Sequence, residues 1–231
     1  MPRLVAVYAR RHEPQWLVDE LHANLSPWVD ALVEVDDRMR PATEPWGHEG
    51  ALRARQWQAA MQAGADWVLM VDPDERLEDR AGDAIRPLMD GRDALYRVTL
   101  RELFQPTAYR IDSKWGVLRR TRLFPLRPGQ QMSAKAIHAP AVPVLTNLPR
   151  LEVDVNLYHL KMIEPANRQR RAAAYNRAEA QHGVRRRQWG AMSQTSGMRL
   201  EQIPGGRQFT PGYSRPYIIP PSTSPGRLVR R

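Results

Sequence analysis

Apolar residues along the chain fall into short runs of two periods, separated by polar and proline-containing breaks. Leu4-Val5-Ala6-Val7-Tyr8 is a continuous apolar run of strand length, ended by Ala9-Arg10-Arg11-His12-Glu13-Pro14. Pro14 suits the first turn of a helix, and Leu17, Leu21 and Leu25, with Val18 beside them, recur at helical spacing until Ser26-Pro27. Ala31-Leu32-Val33-Glu34-Val35 predicts a second strand, terminated by Asp36-Asp37-Arg38. Strand, helix and strand in this order imply a right-handed βαβ unit and a parallel sheet. Residues 39–50, with Pro41, Pro45 and Gly47, read as a loop. The breaker-free stretch Ala51 to Ala63, rich in Ala, Gln and Arg, reads as a second crossover helix with Gly64 as its C-cap. Trp67-Val68-Leu69-Met70-Val71 is then a buried strand running straight into Asp72-Pro73-Asp74-Glu75.

Downstream, Asp79 to Met89 predicts a short helix. Ala94 to Leu100, Arg122 to Leu126 and Val153 to Leu160 predict strands, and Asn167 to His182 a basic helix. From Gly183 onward aliphatic periodicity is lost and Gly, Pro, Ser and Arg dominate. Parts of this segment are expected to order only against the body, and residues 222–231 to be disordered. A chain of 231 residues, 42% hydrophobic and 26% charged, suits one α/β core with an appendage: residues 1–165 as the domain and 166–231 as a basic extension.

The net charge of +10 suggests nucleic acid until it is located. From Arg168 to Arg231, 13 arginines stand against Glu179 and Glu201, so this quarter carries +11 and the remainder −1. A basic tail of this kind binds nucleic acid, anionic membrane or phosphate, or is simply solvated. The absence of cysteine excludes disulfides, thiolate zinc sites and a cysteine nucleophile. Any metal is then held by carboxylate, imidazole or substrate oxygen, which favours Mn²⁺ or Mg²⁺. Without a signal-peptide pattern or an apolar run near the roughly 20 residues that span a bilayer, a cytoplasmic protein with no transmembrane segment is expected.

Asp72, Asp74 and Glu75 place three acids within four residues at a strand end. They repel one another unless a divalent cation or another positive partner compensates them. The alternative reading is a polar turn set by Pro73, with an Asp capping the next segment. Context favours a site: Asp36 and Asp37 end the second strand as Asp72 ends the third, and open α/β sheets bind ligands at that edge.

These residues, together with Arg53 and Arg55 on the intervening helix, Trp115-Gly116, Arg122-Leu123-Phe124, Ile137-His138 and Leu157-Tyr158-His159-Leu160, resemble the nucleotide-sugar-binding half of a GT-A glycosyltransferase, family 2-like, over residues 4–165. The resemblance implies a Rossmann-like, mostly parallel sheet flanked by helices. The implied function is metal-dependent transfer of a sugar from a UDP-, GDP- or TDP-sugar, inverting at the reactive carbon. It places Asp36 against the base or ribose, with Arg10, Glu13 and Asp37 nearby. Asp72 and Asp74 match the Asp-x-Asp motif, with Mn²⁺ or Mg²⁺ on them, and Arg55 adds a fixed charge to the leaving diphosphate. His138 is the candidate third metal contact, with His159 as its competitor.

An inverting transfer needs a base for the acceptor hydroxyl. The family's acidic base motif is missing here, and Glu78-Asp79 lies too close to the metal motif, leaving Glu102 and Asp112 as candidates. Trp115 is either an acceptor platform or a core residue, while Trp16, Trp28 and Trp57 fall on apolar helical faces and read as packing. The acceptor is a glycan, lipid-linked glycan, protein or modified nucleic acid. Two further readings stand beside this one: a nucleotidyltransferase, disfavoured by the lack of glycine in Ala9 to Glu13, and a nucleic-acid-binding protein using the arginine-rich tail.

Overall fold

A computed structural model describes residues 1–39, 48–144, 146–181, 183 and 189–218. The chain opens with β1 (Leu4–Arg10), α1 (Gln15–Leu25), β2 (Ala31–Asp36), α2 (Glu49–Gln62), β3 (Trp67–Met70) and β4 (Glu75–Leu77). It continues with α3 (Ala81–Ile85), β5 (Leu95–Gln105), β6 (Ala108–Arg110), β7 (Arg119–Pro125), β8 (Arg150–His159), α4 (Pro165–Gln181) and β9 (Leu200–Gln202). Most of the loop expected at 39–50, and residues 222–231, lie outside the described residues.

The architecture is α/β, a central sheet flanked by helices, with strand order β2-β1-β3-β7-β5-β6-β9 and β8 pairing both β5 and β4. The parallel character read from the sequence belongs to β2, β1 and β3. Beyond β3 the sheet is mixed: β7 is antiparallel to both neighbours, whereas β8 runs parallel to β5. β1 is buried on both faces, which explains its uninterrupted apolar run. Leu4, Ala6 and Tyr8 share a core cluster with Val18, Leu21 and Leu25 of α1, while Val5 and Val7 cluster with Ala60 of α2, Val68, Met70 and Phe124.

The helix expected over 79–89 is shorter. α3 passes into a 3₁₀ turn at Arg86–Asp90, where Pro87 has no amide hydrogen to continue an α-helical ladder. Glu75, the last residue of the acidic run, opens a strand, Glu75–Leu77, antiparallel to the end of β8. Trp115 is a packing residue, buried edge-on to Phe104 at 6.0 Å between ring centres and under the Arg110 guanidinium at 5.2 Å.

Residues 203–217 are strapped across the body. Asn24 donates to the Thr210 carbonyl, Asp79 N–H to that of Gln208, Tyr158 hydroxyl to that of Arg207, and Asn167 to that of Tyr217. Arg207 also bridges Glu78 and Asp154. These side chain to backbone bonds give an aperiodic segment fixed partners.

Candidate functional site

Parallel register sets the floor of the site. Arg10 pairs with Asp36, so β1 and β2 end level, and Val7 pairs with Met70, so the segment after β3 carries Asp72 to the edge that Arg11 and Asp37 also reach. Facing them are β7, which alternates so that Thr121 separates Arg120 and Arg122, the end of β8, and α4. Between them lies a cleft of about 600 Å³.

β8 brings His159 to its centre, opposite Glu102 of β5 and Glu75 of β4 in cross-strand register. His159 Nδ1 lies 2.8 Å from Glu102 and Nε2 3.2 Å from Asp74 Oδ2, which Lys161 Nζ approaches at 2.9 Å. Both cations are within ion-pair reach of Oδ2. Asp72 is held by Arg53 at 3.3 Å and Arg122 at 3.4 Å, and Arg122 also clasps Glu75. The repulsion within the acidic turn is therefore answered by four cations of the chain itself. The turn's shape is fixed from behind by Arg76, fully buried, which donates to the carbonyls of Pro73, Glu75 and Leu17.

Burial pushes the Asp72 and Asp74 carboxyls up, but Arg53 and Arg122 for the first, and Lys161 and His159 for the second, hold them below the usual range. Burial opposes charge on His159, yet Glu102 and Asp74 overcome it and raise its pKa from 6.5 to about 9. Because the fold favours the charged form, this stabilisation is complete below pH 6.5 and is lost as pH rises through about 9. The unfolding free energy is expected to fall by up to about 3 kcal/mol across that window. Denaturant titrations from pH 6 to 10 check this, with His159→Gln flattening the profile.

Of the residues singled out from the sequence, the cleft unites Glu13, Asp37, Asp72, Asp74, Glu102 and His138. Glu13 shapes the loop after β1 by accepting from the N–H groups of Arg11 and His12. Asp37 is buried and bound to Arg55 at 2.5 Å, so Arg55 serves Asp37, while Arg53 of the same helix reaches the acidic turn. Asp36 points to solvent, paired with Arg38 at 2.8 Å. Arg10, one residue out of phase with Ala9 and Arg11, turns away to Gln15 and Glu34. Asp112 lies outside the cleft, gripped bidentately by Arg110 at 2.8 Å.

His138, with a left-handed φ of 56°, lines the cleft, but its Nε2 meets Glu179 at 3.2 Å and its ring lies beside the stacked pair Tyr175 and Trp189. Its loop is docked on the start of α2, where Gly50 leaves no room for a Cβ, which would come within 2.3 Å of the Ser133 carbonyl. Of the two histidines, His159 touches the acidic turn.

Sequence reasoning passed over Lys161, Arg120, Arg171 and Glu49. Arg171, Tyr175 and Glu179 recur at intervals of four on α4, a one-face signal hidden in a helix read only as basic. Glu49, at the start of α2, accepts from Ala139 N–H at 2.9 Å and has no cation within ion-pair distance among the described residues. Burial raises its pKa.

Mn²⁺ or Mg²⁺ asks for open oxygen ligands. Asp72 and Asp74 are each occupied by two cations, His138 is engaged with Glu179, and among the described residues no three carboxylate or imidazole groups converge as a metal set. As arranged, these residues do not fit a divalent ion. No helix among the described residues is long and apolar enough to cross a membrane. No known family's profile matches the chain, and no curated protein matches it.

Proposed function

We propose that the cleft binds a nucleotide-sugar and transfers its sugar to a hydroxyl acceptor, the activity implied by the GT-A resemblance. The observation that carries this reading is the meeting of Asp37, Asp72 and Asp74 at one sheet edge with an arginine- and lysine-lined far wall. Carboxylates accept from ribose hydroxyls and base N–H groups, and the cations face a diphosphate. In the transfer, the bond from the reactive sugar carbon to the diphosphate oxygen breaks and its electron pair leaves on the phosphate. The acceptor oxygen forms the new bond and its proton passes to a carboxylate. Glu49 is the base in this scheme, having a raised pKa and no ion-pair partner among the described residues, while Glu102 keeps His159 charged.

Thermal unfolding in the presence of UDP-, GDP- and TDP-sugars tests the reading. One nucleotide class is expected to raise the melting temperature by about 5–10 °C at a hundredfold excess over its dissociation constant, and Asp72→Asn to abolish the shift. No shift with any nucleotide, together with a salt-sensitive shift from RNA or duplex DNA, transfers the function to the basic segment.

A further inference from the structure

The cleft also crowds cations: among the described residues Arg120 and Arg171 have no carboxylate within ion-pair distance, and Lys161 shares Asp74 with His159. Arg120 reaches into the open cleft beside Arg122; its closest acceptor is the Arg119 carbonyl at 3.3 Å, and no carboxylate lies within ion-pair distance among the described residues. Arg171 is set by α4 against His159, with Nη1 at 3.5 Å from Nε2. Its acceptor is the Tyr175 hydroxyl at 3.1 Å, and its buried Nε has no partner among the described residues. Lys161 completes the group at Asp74. The outer acids do not relieve them: Asp37 is bound to Arg55, and Glu13 and Glu49 accept backbone N–H groups. Such an arrangement costs free energy until an anion with several oxygens enters it.

Building on the nucleotide-sugar reading, we infer that Arg120, Lys161 and Arg171 form a cradle for the donor's diphosphate and supply the positive charge that a divalent cation brings elsewhere, so that the donor binds without metal. When the sugar–oxygen bond breaks, the electron pair left on the phosphate develops against three fixed cations already in place. A divalent ion on Asp74 would sit beside the Lys161 ammonium, 2.9 Å from Oδ2, and would be repelled by it.

Calorimetric titration of the full chain with UDP, GDP and TDP, with the corresponding nucleosides and with pyrophosphate, in EDTA and in Mn²⁺, tests this. The dissociation constant of the preferred nucleoside diphosphate is expected to agree within about threefold between the two buffers, one RT in free energy being a factor near three. Arg120→Met, Lys161→Met and Arg171→Met are each expected to weaken it tenfold or more while the nucleoside is unaffected, and Lys161→Arg to retain binding. Binding that requires Mn²⁺ and tolerates the three methionine variants overturns the cradle and leaves the nucleotide reading standing. Pyrophosphate binding as tightly as every nucleoside diphosphate upholds the cradle and removes the nucleotide. No binding by any of these probes removes both.

Discussion

Arg122→Ala is expected to destabilise the fold by about 3–5 kcal/mol, the range for taking one partner out of a buried ion pair. The Arg122 side chain is 7% exposed and that of Glu75 2% exposed. Without the guanidinium, among the described residues Glu75 keeps the Asp72 N–H as its hydrogen-bond donor and Asp72 keeps Arg53 as its ion-pair partner. At about 2–4 °C per kcal/mol for a domain of this size, the melting temperature falls by about 6–20 °C. Adding Glu75→Gln to Arg122→Ala is expected to recover part of the loss, because the carboxylate left uncompensated is then neutral. A single variant that melts within about 2 °C of the parent contradicts the burial of this pair.

Glu49→Gln is expected to lower turnover by about 10²–10⁴-fold, the usual contribution of a positioned base, with nucleotide affinity unchanged. Glutamine still accepts from Ala139 N–H through its amide oxygen, so the 133–139 loop stays docked. Burial raises the pKa of Glu49 above 4.5, and the protonated form is inactive, so parent activity rises with pH through that raised value. Nucleoside diphosphate release from the donor, followed across pH, reads both effects. A variant that keeps its rate and its acid limb assigns the proton to another group.

The positions legible in the sequence are those dictated by local pattern and by parallel pairing. The runs at Leu4–Tyr8 and Trp67–Val71 are apolar on both faces, Ala31–Val35 is interrupted by the exposed Glu34 of the outer strand, and parallel register then brings Asp37 and Asp72 to one edge. The resemblance puts Asp36 against the nucleotide, but strand alternation exposes Asp36 and buries Asp37. The same half-turn separates Arg53 from Arg55 on α2. What was not legible depends on long-range pairing. β4 is a three-residue strand, too short for a periodic signal, and its partner β8 lies more than 70 residues away. Only that pairing sets His159 beside Asp74, and only the return of α4 adds Arg171 and Tyr175 to the cleft. Asp112, attractive among polar and aromatic neighbours, follows β6 outside the cleft, where Arg110 holds it.

One cleft, floored by the ends of β1 to β3 and walled by β7, β8 and α4, is proposed to receive the nucleotide. Hydrogen–deuterium exchange with and without the preferred nucleoside diphosphate is the decisive measurement. Protection is expected in residues 9–13, 37–39, 71–75, 119–122 and 159–171 together. Protection confined to residues 189–218, or unchanged exchange at 71–75 under saturating ligand, contradicts it.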